Sequence, residues 1–299
     1  MSENDDLCPE GSKLRAEADK KLKSFNLFGS ASKRQGEAAD LYARAAAKFR
    51  VARLWEEAAE AYLLAAKNLE KSSPDDWVDA RKNYEECAKC FAKCKPEDAI
   101  EPYRAAAALS LKENSFSMAA HLYKSLGEMC EQEELEMDTI LEAYTKAATY
   151  FEAADAVKNQ LDMLMKVAFM NARLENYNAA IEAYDQIIRA STKGASKSTG
   201  EIAVFNCVLC SLASKEYTTE KAESGFESYK DMFDGFARST NGKLLEGIFD
   251  AIRQSDVDKW EGAIKEADRR STISSFHRSL LSQAQQLKLE GGTDEVDLM

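Results

Sequence analysis

The sequence is poor in residues that break helices and in residues that perform catalysis. It has 13 Gly and 4 Pro in 299 residues, too few to punctuate a sheet-rich fold, and the abundance of Ala and Glu points to helices throughout. Its two histidines, His121 and His277, leave little general-base capacity near neutral pH. There is no HExxH, no GxSxG and no Gly-rich turn after a strand, and Ser196 stands where a phosphate-binding loop needs Gly before Lys197. Adjacent carboxylates such as Glu56/Glu57 and Asp75/Asp76 are explained by the helix dipole at helix starts. The expectation is a protein that is not an enzyme and takes no cofactor.

Long apolar runs are also missing. None approaches the roughly 20 residues that span a bilayer, and the opening MSENDDLCPEG is too acidic and polar for a secretory signal, so a cytosolic chain is expected. Seven cysteines, an odd number in no disulfide-framework pattern, read as free thiols. Cys87, Cys90 and Cys94 fall at i, i+3, i+7 of one helix and are expected to be buried, as are Cys207 and Cys210; a zinc site would need two converging pairs. Positive charge is in deficit. At a net charge of −12 and a pI near 4.9, the overall field repels nucleic acid and anionic lipid, so any such contact needs a local basic patch.

What the sequence has instead is one motif repeated between Glu37 and Arg189. Tyr42, Tyr62, Tyr84, Tyr103, Tyr123, Tyr144, Leu164 and Tyr184 follow one another at steps of 20, 22, 19, 20, 21, 20 and 20 residues. Four residues before them stand Ala38, Ala58, Ala80, Ala99, Ala119, Ile140 and Ala180; four after stand Ala46, Ala66, Ala88, Ala107, Gly127, Ala148, Ala168 and Ile188. The i−4, i, i+4 spacing is helical. Small residues one turn above and below a large ring let a neighbouring helix approach to roughly 8–10 Å between axes. Each unit therefore predicts one helix and a turn, and a hairpin period near 40 residues, longer than the roughly 34 of tetratricopeptide repeats and nearer the roughly 40–47 of HEAT-type repeats. The fold expected is all-α: a tetratricopeptide-like α-solenoid of antiparallel helix hairpins, closed by a C-terminal helical bundle.

The segments predicted along the chain are an N-terminal helix and apolar loop (1–36), solenoid repeats (37–200), a helical bundle (201–290) and an acidic tail (291–299). The first helix spans Lys13 to Lys23, and the loop after it holds Phe25, Leu27 and Phe28, either a hydrophobic staple onto the first repeat or a tip that meets a membrane or partner. Ser73-Pro74 and Lys95-Pro96 mark helix starts, with longer connections at 131–138 and 190–200. Later helices are expected at 201–214, 220–236, 244–252 and 257–289. Arg53, Lys124, Lys158, Lys166, Arg173 and Lys197 are spread over successive units and either line one face or simply solvate the surface. The tail, with Asp294, Glu295, Asp297 and Leu298, reads as a solubilising end, except that Val296, Leu298 and Met299 are apolar.

Four segments, KKLKSFNLFGS (20–30), AADLYARAAAKFRVARLWEEAAEAY (38–62), LMKVAFMNARLENYNAAIEAYDQI (164–187) and DEVDLM (294–299), in this order and spacing, resemble the soluble NSF attachment protein family, of the alpha type, over almost the whole chain. The resemblance implies a twisted layer of antiparallel helices that coats an assembled SNARE four-helix bundle and recruits the hexameric AAA+ ATPase NSF to disassemble it, with neither nucleic acid nor a small-molecule substrate involved. It assigns weak, reversible membrane contact to Phe25, Leu27 and Phe28, and SNARE contact to Arg53 and Lys197, to which Lys166 is joined as part of the same basic face. ATPase stimulation falls to Leu298 with Asp294, Glu295 and Asp297. His121, Asp162, Glu201 and Thr240 stand where the family usually has Lys or Arg, and Arg253 and Gln254 where it usually has acidic residues facing the ATPase, which implies a divergent member or altered partners. A generic tetratricopeptide-type scaffold or co-chaperone is the alternative; it has no need of both the Phe25/Phe28 loop and the Leu298 tail.

Overall fold

The computed structural model describes residues 8–23, 31–192, 197–233 and 235–291. Among these it holds fourteen α-helices and no strand. They fall into two compact units, Met1–Ala156 and Val157–Met299.

The first unit contains α1 (Pro9–Lys23), α2 (Ala31–Val51), α3 (Trp55–Ser72), α4 (Trp77–Phe91), α5 (Ile100–Lys112), α6 (Phe116–Gln132) and α7 (Met137–Ala153). Each helix packs chiefly on the one before and the one after it, which is the connectivity of stacked hairpins. The second unit contains α8 (Val157–Arg173), α9 (Tyr177–Ser191), α10 (Lys197–Ala213), α11 (Thr219–Met232), α12 (Thr240–Gln254), α13 (Val257–Arg270) and α14 (Ser275–Gln285). Here α10 packs against α9, α11, α12 and α14. From Ala203 to Ala213 it is buried on every side, as expected of a helix that is apolar all round.

The Tyr frame is the core. Each of its eight positions falls on its own helix, α2 to α9, and all eight are buried, as are all fifteen flanking residues. Tyrosine rather than phenylalanine suits several of these sites because the phenol finds an acceptor: Tyr84 donates to Glu70 at 3.0 Å, Tyr144 to Glu131 at 2.6 Å, and Tyr42 to Asp19. Gly127 is needed for close approach, since a Cβ there would stand 2.7 Å from the Tyr144 ring.

Several boundaries differ from expectation. The first helix begins at Pro9, and Lys197 opens α10 rather than lying in a connection. The helix expected over 257–289 is two helices: Asp268 accepts from the Ile273 amide at 2.9 Å, Ser274 caps α14, and the chain turns between them. Cys94 is exposed, because α4 ends at Phe91 and the helical register that would have buried it stops there. The other four thiols of that expectation are buried, and burial pushes Cys87 up to about 12 and Cys90 up to about 11. With so few glycines, six turns are closed by other residues in the left-handed region: Arg53, Asn114, Glu134, Asp155, Glu175 and Ser255.

Candidate functional site

Arg53 sits on the α2–α3 turn at φ 60°. Its amide donates to Arg50 O at 3.0 Å and the next amide, of Leu54, to Phe49 O at 2.9 Å, the paired bonds of a left-handed helix cap. That geometry turns the chain sharply and leaves Arg53 exposed beside Val51, which is 83% exposed. Arg50, one turn back into α2, is engaged, lying over the Tyr62 ring and pairing with Glu86.

Lys166 and Lys197 belong to the second unit, on α8 and α10, the two helices that flank α9. Lys166 is half-buried and exposed Asp162 precedes it by one turn. Lys197 is the first residue of α10, and Glu201 one turn on approaches it to 3.9 Å. Each lysine thus shares its helix face with a carboxylate at i±4, a spacing at which an exposed pair contributes about 0.3–0.5 kcal/mol. Of the other scattered cations, Lys124 pairs with Glu128 at 3.8 Å and Arg173 lies over the Phe169 ring at 5.9 Å.

Among the remaining atypical positions, His121, Arg253 and Gln254 have local partners. His121 is exposed and meets the Phe151 ring edge-on at 5.0 Å. Thr240 opens α12, capped by Ser239, whose hydroxyl accepts from the Gly242 amide at 3.0 Å. Arg253 donates to Glu223 on α11 and to Asp250 one turn back on α12, and Gln254 accepts from Lys259. Phe25, Leu27 and Phe28, and the tail residues Asp294, Glu295, Asp297 and Leu298, lie outside the described residues.

Sequence reasoning missed the charge pairs that tie together residues about one hairpin apart, three of them joining alternate helices and one joining the α4–α5 connection to α3. Lys95 to Glu56 at 2.5 Å, Arg104 to Glu142 at 2.5 Å, Lys112 to Glu70 at 3.5 Å, and Arg50 to Glu86 join residues 36 to 42 apart. The signal was present: opposite charges one hairpin period apart. These pairs also occupy many of the cations that a simple count would assign to binding. Among the described residues no group of three or more His, Cys, Asp or Glu could hold a metal ion, and no helix is long and apolar enough to cross a membrane.

Fold and surface together define a helical-repeat protein built of two compact units. The family model "Soluble NSF attachment protein, SNAP" matches residues 9–287, from the first residue of α1 to beyond the end of α14. The chain belongs to the soluble NSF attachment protein family. It is 29% identical to the alpha-soluble NSF attachment protein of Mus musculus, covering 97% of each chain, and 28% identical to that of Vitis vinifera, covering 98% of this chain and 99% of the relative. It is also 27% identical to a probable vesicular-fusion protein, the sec17 homolog of Schizosaccharomyces pombe, over 91% of both.

Proposed function

We propose that this chain is a non-enzymatic adaptor that binds assembled SNARE complexes and recruits and stimulates the AAA+ ATPase NSF. The observation that carries this reading is the end-to-end family match over residues 9–287, joined to relatives named as NSF attachment and vesicular-fusion proteins over nearly their full lengths. In this reading the work divides among four segments: 1–36 touches the membrane through Phe25, Leu27 and Phe28, and 37–200 meets the SNARE bundle through Arg53, Lys166 and Lys197. Residues 201–290 face the ATPase, and 291–299 stimulates it through Leu298 with Asp294, Glu295 and Asp297. The protein is cytoplasmic and peripheral on membranes.

The carboxylates beside Lys166 and Lys197 weaken the positive field on α8 and α10, so a conventional acidic SNARE bundle is held less tightly than by a member with Lys at 162 and 201. A pull-down from detergent extract, with ATP present but unhydrolysed, tests the proposal. Co-recovery of a SNARE complex and an AAA+ ATPase, reduced when Arg53, Lys166 and Lys197 are changed to Glu, is expected. Recovery of chaperones or other peptide-bearing partners without either would replace it with the scaffold reading.

A further inference from the structure

Beyond Gln285 the last described helix widens into a five-residue π-helical turn, Gln286–Glu290, closed by the Gly291 amide donating to Gln286 O. The body of α14 does not depend on this turn for its place. Leu280, Leu281 and Ala284 are buried, and Tyr177 on α9 donates to Gln283 at 2.5 Å. The turn is held by a different device. Lys288 reaches back to the end of α10, where its ammonium donates to Ser214 O at 3.0 Å and to Tyr217 O at 2.5 Å.

Both acceptors lie in the α10–α11 connection, Ser214 directly after Ala213, the last residue of α10, and Tyr217 directly before Thr218, which caps α11. The Ser214 carbonyl stands at the C-terminal end of α10, where a helix carries partial negative charge, and the Tyr217 carbonyl belongs to the α10–α11 connection, so the ammonium answers the first and bridges it to the second. The arrangement has a cost, because burial pushes the Lys288 amine down while nearby Glu220 pushes it up. A half-buried lysine spent on two backbone carbonyls fixes one point of the chain. That point is three residues before Gly291, from which the eight residues Gly292–Met299 continue.

We propose that Lys288 is a positioning residue: it anchors the root of the tail and so sets how effectively Leu298 is presented to the ATPase. This rests on the reading of the tail given above. Lys288 holds the whole turn Gln286–Gly291, so releasing it adds six residues to the eight that follow Gly291. Effective concentration falls as about the −3/2 power of tether length, so the loss in tail engagement is about twofold.

The test is NSF ATPase stimulation at saturating adaptor on a preassembled SNARE complex. The variants are Lys288→Met, Lys288→Arg, Leu298→Ala and an insertion of six Gly/Ser residues after Gly291, with amide hydrogen exchange of 286–291 followed in parallel. Lys288→Met is expected to bind SNAREs as the parent does, to exchange faster over 286–291 and to lose about half of the stimulation, with Lys288→Arg restoring both readouts. The insertion is expected to lose about as much with Lys288 untouched. Full stimulation by Lys288→Met despite faster exchange makes Lys288 a helix cap only and overturns the inference. Full stimulation by the insertion overturns it as well, even if Lys288→Met does not fold. Full stimulation by Leu298→Ala removes the tail reading itself.

Discussion

Arg53 offers a test in which stability and binding move in opposite directions. Its φ of 60° places an L-residue in the left-handed region, at a cost of about 1–2 kcal/mol, and this cost is one that glycine does not carry. Glycine loses about 0.5–1 kcal/mol through its larger unfolded-state entropy. The Arg53→Gly protein is therefore expected to be more stable by about 0.5–1 kcal/mol, a rise in Tm of about 1–4 °C for a unit of this size. The same change removes an exposed cation whose pairing with a partner is worth about 0.2–1 kcal/mol, so SNARE binding weakens by up to about fivefold. Arg53→Ala is the control: it removes the charge and keeps the Cβ, so binding falls by the same amount and no Tm is gained. Thermal melts by circular dichroism and binding titrations at two salt concentrations read both effects. An unchanged or lower Tm in Arg53→Gly refutes the strain argument, and unchanged affinity in both variants removes Arg53 from the interface.

Three further outcomes are expected. Replacing Phe25, Leu27 and Phe28 together by Ser reduces liposome flotation while soluble SNARE binding persists, each side chain contributing about 1.5–3 kcal/mol when fully buried; a large fall in Tm instead supports the staple. Gly242→Ala destabilises the chain by about 2–3 kcal/mol in urea titrations, because the new Cβ would stand 2.2 Å from Phe236 O and 2.9 Å from Ala237 Cα and backbone cannot step aside; Gly262→Ala, with nothing within 4 Å, is neutral or stabilising. Burial lowers the pKa of His277, whose Nε2 lies 2.8 Å from Asn206 Oδ1 and Nδ1 3.0 Å from Ser274 Oγ. The unfolded chain then takes the proton first, so this contribution to stability is complete above the ordinary value of 6.5 and is lost as pH falls from there toward the folded pKa. A flatter Tm profile between pH 7.5 and 5.5 is expected for His277→Gln, and an unchanged slope counts against the assignment.

The helical frame was legible because its cause is local. A large ring with small residues at i±4 specifies both helix and buried face, and every frame residue from Tyr42 to Tyr184 is buried on its own helix. The hub helix was legible too, in principle, since IAVFNCVLCSLA is apolar around its whole circumference and fits only a surrounded position. Ser73, Pro74 and Pro96 announced their turns through capping chemistry that acts within three residues.

The rest depended on contacts between residues far apart in the chain. The frame steps evenly from Tyr144 to Leu164, yet the chain divides into compact units between Ala156 and Val157, because a repeat pattern reports what each helix buries and not how many neighbours it gathers. The ion pairs that engage Arg50, Lys95, Arg104 and Lys112 arise only when residues about one hairpin apart are brought side by side. Left-handed Arg53 and Glu175 look ordinary in sequence, since the strain is imposed by the helices that the turn must join. Lys288 belongs to the same group: the sequence shows a lysine near the end of a helix, and only the fold brings it to the carbonyls of Ser214 and Tyr217, more than 70 residues away.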